Sequence, residues 1–151
     1  LRIPRAEAQG FIDRYFERFP GIRTYMDDTK AFAKEHGYVQ TLFGRKIHTP
    51  NIGAKGPHAG FAARAAINAP IQGSAADMIK IAMINIHKWM KSENLKSKMI
   101  MQVHDELVFD VHKSELELMK TKIPELMIAA VDLEVPMEVE VGIGENWLVA
   151  H

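Results

Sequence analysis

Apolar residues at helical spacing dominate the first part of the chain. Pro4 suits a first helical turn, and the Pro20-Gly21 pair interrupts the pattern that follows it. A second helix is predicted from about Ile22 to His36, ending at Gly37. We expect the apolar stripe of the first helix to lie in a core. Its members are Phe11, Ile12, Tyr15, Phe16 and Phe19.

The middle of the chain predicts two short strands followed by helices. Residues 38–50 read as a strand pair, and the glycine-rich residues 51–60 read as a loop. A helix of small residues is predicted from Phe61 to Ala69, and Pro70 predicts a boundary before a longer helix that ends near Met90. The apolar stripe of the longer helix is Ile71, Ala75, Ile79, Ala82, Met83, Ile86 and Met90.

Two apolar runs, Met99 to Val103 and Leu107 to Val111, predict strands that fold back as a hairpin. The triplet His104, Asp105 and Glu106 lies at or beside its tip. Two carboxylates and an imidazole between buried strands are costly unless a positive group, such as a divalent metal ion, occupies the site. The alternative is a solvated hairpin end whose Asp accepts main-chain hydrogen bonds. From the triplet alone, the solvated end is favoured.

The rest of the chain predicts one more helix and one more strand. Ser114 and Glu117 have the spacing of a capping box, and the helix that follows should lie across the hairpin's sheet. Residues 135–141 alternate as a third strand with one wet face, and Trp147 is expected to anchor the tail by packing. The fold class is therefore α+β, with helices packed on a small antiparallel sheet.

Length and composition narrow the class of protein. The 151 residues are 47% hydrophobic, which fits one domain or two packed subdomains. The absence of cysteine excludes disulfides and Cys-based zinc sites, and it favours an intracellular setting. No apolar run is long enough to span a bilayer, so we expect no membrane partner. Because the chain starts Leu-Arg-Ile-Pro in the lead-in to a helix, we expect a fragment.

The charges are balanced overall but separated along the chain. Lys and Arg number 19, as do Asp and Glu. Residues 36–76 contain no acid, whereas residues 101–151 contain eleven acids against three lysines. This separation indicates one face that could hold a polyanion and another that could gather cations.

Three side chains in the acid-free segment are spaced by four residues. Arg64, Asn68 and Gln72 share one face if the helical path continues through Pro70. Such donors suit the minor groove of nucleic acid, where every base pair offers acceptors. The alternative, equally open from these residues, is that Arg64 is merely exposed and Asn68 caps a helix that begins near Pro70.

Taken together, these blocks resemble the carboxyl-terminal part of the bacterial family A DNA polymerases over nearly the whole chain. The most specific matches are residues 102–108 (Gln-Val-His-Asp-Glu-Leu-Val), 64–77 and 139–147. The resemblance implies a right-hand polymerase, with residues 1–65 as a partial fingers subdomain and residues 66–151 as a partial palm subdomain.

The resemblance also implies roles for the residues singled out above. Asp105 would be one of the two aspartates that bind the catalytic Mg²⁺ ions, with Glu106 as an auxiliary carboxylate near them. His104 would contact the primer end. The residues that would hold the primer-template on its minor-groove side are Arg64, Asn68 and Gln72.

The implied reaction is template-directed DNA synthesis, in which a primer 3′-hydroxyl attacks the α-phosphate of a dNTP. Its setting would be the cytoplasm, at the nucleoid. The family's first and second motifs would lie before Leu1, so we expect the chain alone to be inactive and to self-associate through exposed strand edges. The alternatives are a non-catalytic DNA-binding fragment and a single-subunit RNA polymerase relative; Glu106 favours DNA synthesis, because that relative has Ser there.

Overall fold

The structure, a computed structural model, describes residues 3–150, and of Pro57 and His58 it describes the backbone only. Helices and two separate antiparallel strand pairs confirm the α+β class. In chain order the elements are α1 (Arg5–Arg18), α2 (Pro20–His36), β1 (Tyr38–Gln40), β2 (Lys46–His48), α3 (Pro57–Ser92), β3 (Lys98–Val103), β4 (Glu106–Asp110), a 3₁₀ turn (Lys113–Glu115), α4 (Leu116–Ile128) and α5 (Trp147–Ala150).

The chain divides into two compact units, one up to Ser74 and one from Ala75 onward. Helix α3 begins in the first unit and ends in the second. Among the helices of residues 3–150, none is both long enough and apolar enough to cross a membrane.

A small core holds the first unit together. Ala33, Val39 and Ala66 are buried, and Ile47 packs against them. Helix α2 ends as predicted at Gly37, whose φ of 76° few other residues adopt; its N–H donates to the Ala33 carbonyl at 2.9 Å.

The apolar stripe of α1 does not lie in a core, so that prediction is wrong. No residue of α1 is buried, and Phe11 is 52% exposed. The rings contact one another instead, with centroids 5.5 Å apart for Tyr15 and Phe16 and 5.2 Å apart for Tyr15 and Phe19. Helical spacing places side chains on one face, but it does not supply the partner that would cover them.

The first hairpin, β1 with β2, packs closely on α3 at Gly73. A Cβ added there would lie 2.7 Å from Ile47 Cδ1 and 2.7 Å from Thr41 Cγ2, too close for any real side chain. The Arg45 guanidinium donates to the Gly73 carbonyl at 3.1 Å. Leu42 N–H donates to Ser74 Oγ at 2.9 Å. A side chain at this position would therefore require Ile47 and Thr41 to shift, so the close approach rather than the backbone conformation favours glycine.

Helix α3 runs through Pro70, so the predicted boundary there is wrong. Proline removes one helical hydrogen bond and crowds the preceding turn. Neighbouring side chains bond to carbonyls around this point: the Tyr25 hydroxyl donates to the Ile67 carbonyl at 2.8 Å, and the Ser74 hydroxyl donates to the Pro70 carbonyl at 2.6 Å. The carbonyl that Pro70 leaves without its helical donor is that of Ala66, four residues earlier, so these bonds lie beside the missing bond and do not replace it.

The core of the second unit lies between the end of α3, α4 and the second hairpin, β3 with β4. Met99, Leu107 and Phe109 of the hairpin pack against it. Of the predicted stripe on α3, only the later part is buried, whereas Ile71 and Ala75 are exposed. The buried members of this core are Ala82, Ile86, Met90, Met119 and Ile123.

A bulge interrupts the second hairpin. Met99 pairs with Phe109, but Met101 pairs with Val108, so Ile100 is an extra residue in β3. The turn predicted between the two strands is present, and the last pair before it joins Val103 to Glu106.

The open end of the second hairpin is fixed by Glu115 and Ser97. Glu115 accepts hydrogen bonds from the main-chain N–H groups of Lys96 and Ser97, each at 2.9 Å, and from the Ser97 hydroxyl at 2.6 Å. These bonds, the one from Lys96 first, lower the pKa of the Glu115 carboxyl to about 2. Ser97 Oγ also accepts from His112 N–H at 3.0 Å. One carboxylate thus joins the start of β3 to the start of α4.

The capping box does not form, and the third strand is absent. His112 Nδ1, rather than Ser114 Oγ, accepts the hydrogen bond at the start of the 3₁₀ turn, from Ser114 N–H at 3.4 Å. Residues 135–141 carry no strand hydrogen bonds, and Val135 is 68% exposed. A strand needs a neighbouring main chain to pair with, and Pro136 lacks one of the donors.

Candidate active-site hairpin and nucleic-acid interface

The tip of the second hairpin is a two-residue turn made of His104 and Asp105. The pair Val103 and Glu106 closes it. Two-residue hairpin turns favour a positive φ at their first residue, and His104 has a φ of 51°. Gln102 Nε2 donates to the His104 carbonyl at 2.6 Å, which holds the turn from one side.

The backbone conformation of His104 is costly for a residue with a Cβ. Left-handed conformations cost such residues roughly 1–2 kcal/mol, and glycine is the usual occupant. Strain of this kind concentrates at functional sites, where the side chain is needed. The side chain of His104 is exposed, as is that of Asp105 beside it.

Glu106 is half-buried at the start of β4, next to Asp105. Its Oε2 accepts a hydrogen bond from the indole Nε1–H of Trp147 at 3.4 Å. Asp105 and Glu106 follow one another along the chain, one on the turn and one on the strand. The tip therefore presents a solvent-facing carboxylate and a second carboxylate oriented by an indole.

The tip is suited to part of a magnesium site. Mg²⁺ prefers oxygen ligands and is commonly held by one or two carboxylates together with substrate phosphates and water. Asp105 and Glu106 supply oxygen donors of that kind. Within residues 3–150, no group of three His, Asp or Glu side chains is arranged to hold a metal ion. The donor set fits a magnesium ion that takes further ligands from elsewhere.

Helix α3 presents Arg64, Asn68 and Gln72 on one exposed face in the first unit. Ala62, Ala66 and Gly73 of the same helix are buried. Because α3 does not begin near Pro70, Asn68 is not a helix cap, and that part of the alternative is wrong, whereas Arg64 is exposed as the alternative has it. The three side chains form a strip of donors that we call the α3 strip.

The structure brings His104, Asp105 and Glu106 together on one turn of the second unit, whereas the α3 strip belongs to the first unit. Sequence reasoning missed the contact of Trp147 with Glu106. A tryptophan indole donates one hydrogen bond and needs an acceptor, but nothing in the spacing ties position 147 to position 106.

Comparison with known proteins gives consistent matches along the chain. The profile of DNA polymerase family A matches residues 1–149. The chain is 47% identical over 152 residues to DNA polymerase I of Pseudomonas aeruginosa, covering 100% of this chain and 17% of that protein. It is 48% identical over 151 residues to DNA polymerase I of Streptococcus pneumoniae, covering 99% and 17%.

A solved structure matches as well. The POL domain of Pol1 from M. smegmatis, in complex with DNA primer-template and dNTP, has a TM-score of 0.93 and is 42% identical. The match covers 98% of this chain and 26% of that one. The chain thus spans about a sixth of the length of the curated relatives it matches.

Proposed function

The chain belongs to DNA polymerase family A, and we propose that the protein containing it carries out template-directed DNA synthesis. The relatives named above are DNA polymerase I proteins, and the matching solved structure holds primer-template DNA and dNTP. In the proposed reaction the primer 3′-hydroxyl attacks the α-phosphate of a dNTP, and pyrophosphate leaves. We take the partners to be primer-template DNA and dNTP, and the setting to be the cytoplasm.

We assign residues 1–65 to a partial fingers subdomain and residues 66–151 to a partial palm subdomain. The two compact units divide nearby, between Ser74 and Ala75. Under this assignment the α3 strip lies at the junction, with Arg64 in the fingers and Asn68 and Gln72 in the palm.

The observation that carries the proposal is the hairpin tip, where Asp105 lies on a turn beside the strained residue His104 and Glu106 begins the strand that follows. We propose that Asp105 is a magnesium ligand and that Glu106 is an auxiliary carboxylate beside it. Two Mg²⁺ ions bound in the whole protein would activate the primer hydroxyl and stabilise the charge of the transferred phosphoryl group. His104, exposed on the same turn, would contact the primer end.

We further propose that the α3 strip holds the duplex on its minor-groove side near the nascent pair. Arg64, Asn68 and Gln72 are all exposed donors. Donors there can test the shape of a base pair without reading its identity, because every pair offers acceptors in the minor groove. The surrounding residues 36–76 carry no acid that would repel phosphates.

Replacing Asp105 tests the active-site proposal. In the full-length protein, Asp105→Ala should lower primer extension at least about a thousandfold, because a lost metal ligand removes transition-state stabilisation. Duplex affinity should stay within a few-fold. Asp110→Ala is the matched control, since Asp110 is exposed at the other end of β4. Full primer-extension activity of Asp105→Ala would contradict the proposal that Asp105 is a magnesium ligand.

Replacing Arg64 tests the binding strip. Arg64→Ala should weaken binding to primer-template duplexes similarly for all sequences. If the guanidinium also contacts a phosphate, the slope of log affinity against log salt should become shallower by about one. Lys80→Ala is the control, an exposed basic residue further along α3. An unchanged affinity of Arg64→Ala for primer-template duplex would contradict the proposal that the α3 strip binds the duplex.

Two further expectations belong to the chain by itself. We propose that it binds primer-template without synthesis, because Asp105 and Glu106 supply only part of a metal site. Salt-sensitive binding without incorporation would agree with this, and measurable incorporation would contradict it. Each sheet has two strands, so every strand is an edge, and self-association through these edges stays a prediction.

A further inference from the structure

The last described residues fold back on themselves. Helix α5, Trp147–Ala150, is a single turn. Asn146 caps it: its side-chain oxygen accepts from Val149 N–H at 3.1 Å, and its carbonyl accepts from Ala150 N–H at 3.1 Å. An Asn at this position satisfies main-chain donors that the helix itself cannot.

Two glycines make the fold-back possible. A Cβ added at Gly142 would collide with the Ala150 carbonyl oxygen. At Gly144 it would lie 2.9 Å from Ala150 N and 2.9 Å from Val149 Cβ. Both glycines have backbone atoms of α5 directly against them, so any other residue would push α5 away. We call residues 142–150 the terminal clasp.

The clasp contacts the hairpin tip through one side chain. Trp147 is 44% exposed, so it does not anchor the tail by burial as predicted. Its indole Nε1–H instead donates to Glu106 Oε2 at 3.4 Å, across 41 residues of sequence. An indole is a donor only, so it can orient a carboxylate without neutralising it or competing for its proton.

We propose that Trp147 is a positioning residue that acts through Glu106. The inference rests on the proposed function, in which Glu106 is a carboxylate near the metal ions. The hydrogen bond restrains one oxygen of Glu106, and with it the carboxylate that follows Asp105 in the chain. Groups that orient a carboxylate near a metal contribute to metal affinity without touching the metal. The clasp is the support that holds the indole in place.

The primary test is Trp147→Phe in the full-length protein. Phenylalanine keeps an aromatic ring but removes the donor. The Mg²⁺ concentration that gives half-maximal primer extension should rise about tenfold, the low end for the loss of such a support. The rate at saturating Mg²⁺ should fall much less. Leu148→Ala is the matched control, since Leu148 is 86% exposed on the same turn. An unchanged Mg²⁺ requirement in Trp147→Phe would overturn the proposal.

A double-mutant cycle separates positioning from general support of the fold. Single-turnover extension is measured for Trp147→Phe, for Glu106→Ala and for both together. If Trp147 acts through Glu106, Trp147→Phe should not lower the extension rate further in a protein that already carries Glu106→Ala. Independent, multiplicative losses would overturn the proposal, because they would mean that the indole supports the fold generally.

Asn146→Ala gives a second route if Trp147→Phe does not fold. It removes the cap of α5 and leaves the indole intact, so the Mg²⁺ requirement should shift in the same direction by a smaller factor. No shift in a folded Asn146→Ala protein would count against the clasp. The failure of the proposed function and the failure of this inference can be distinguished. An active Asp105→Ala protein would contradict the proposed function. An inactive Asp105→Ala protein together with an unchanged Mg²⁺ requirement in Trp147→Phe would contradict only this inference.

Discussion

The turns of the two hairpins each contain a residue with a positive φ, but the type of residue differs. In the first, the left-handed position belongs to Gly44, with a φ of 78°, and in the second it belongs to His104, with a φ of 51°. The first turn is also closed by its own hydroxyl, since Thr41 Oγ1 accepts from Phe43 N–H at 3.3 Å and from Arg45 N–H at 3.2 Å. The second turn leaves its side chains facing outward.

The difference separates a structural turn from one that we propose to be functional. Glycine takes a positive φ without steric cost, so it is the expected choice where only the path of the chain matters. A histidine in that conformation persists only because the surrounding strands hold it there. The residue that breaks the local preference is therefore the one whose side chain we expect to be used.

The hairpins also differ in how they are attached. The first touches α3 through a bare glycine backbone at Gly73 and through hydrogen bonds from Arg45 and Leu42. The second packs apolar side chains, among them Met99 and Phe109, against its core. The first hairpin also packs Val39 and Ile47 against its core, so its distinguishing feature is that the side-chain ends of Thr41 and Ile47 lie against glycine backbone, where an added Cβ would displace them.

The largest effect on stability should come from Gly73→Ala. Its Cβ would force Thr41 and Ile47 to move, an overpacking cost of about 1–3 kcal/mol that the better helix propensity of Ala only partly offsets. Hydrogen exchange of the β1 and β2 amides should report a net loss of about 1–2 kcal/mol. Gly21→Ala, with nothing within 4 Å, should instead be neutral or slightly stabilising. Equal behaviour of the two variants would refute the close contact.

The two turn residues should respond differently to substitution. Gly44→Ala should destabilise the first hairpin by about 1 kcal/mol, because alanine resists a positive φ. His104→Gly should change the stability of the second hairpin by less than about 1 kcal/mol, since relieved strain offsets the added freedom of the unfolded chain. Primer extension should nevertheless fall in His104→Gly and not in Gly44→Ala. Hydrogen exchange and extension assays on both variants check this; a marked loss of stability in His104→Gly would remove the contrast.

The last expected effect is a pH dependence confined to the second hairpin. The pKa of Glu115 is lowered to about 2 from a usual 4.5, so its bonds to Lys96 and Ser97 stabilise the folded chain above about pH 4.5. That contribution should be lost as the pH falls from about 4.5 through about 2. The amide resonance of Ser97 should titrate near pH 2 and should not do so in Glu115→Gln. A midpoint near 4.5 would contradict the contacts.

Sequence patterns located most elements because their causes are local. Gly37 ends α2, and three polar residues between two apolar runs identify the second hairpin. The failures depend on neighbours that spacing does not reveal. Helix α3 continues through Pro70, where the local rule predicts a boundary, and residues 135–141 have a strand pattern without a paired strand.

The candidate site was predictable only in part, for the same reason. The chemistry of Asp105 and Glu106 is visible in the residue types, and the spacing of Arg64, Asn68 and Gln72 already indicates a common helical face. The contact between Trp147 and Glu106, which are 41 residues apart, depends on the fold-back of the terminal clasp, and the spacing of Gly142 and Gly144 does not indicate that fold-back.

The bulge at Ile100 changes the pairing register of the second hairpin by one residue before the tip. If the pairing of Met99 with Phe109 continued uninterrupted, Gln102 would pair with Glu106, and residues 103–105 would form a three-residue loop. The extra residue instead pairs Val103 with Glu106 and shortens the loop to His104 and Asp105. The two-residue turn that carries Asp105 thus follows from an irregularity five positions upstream.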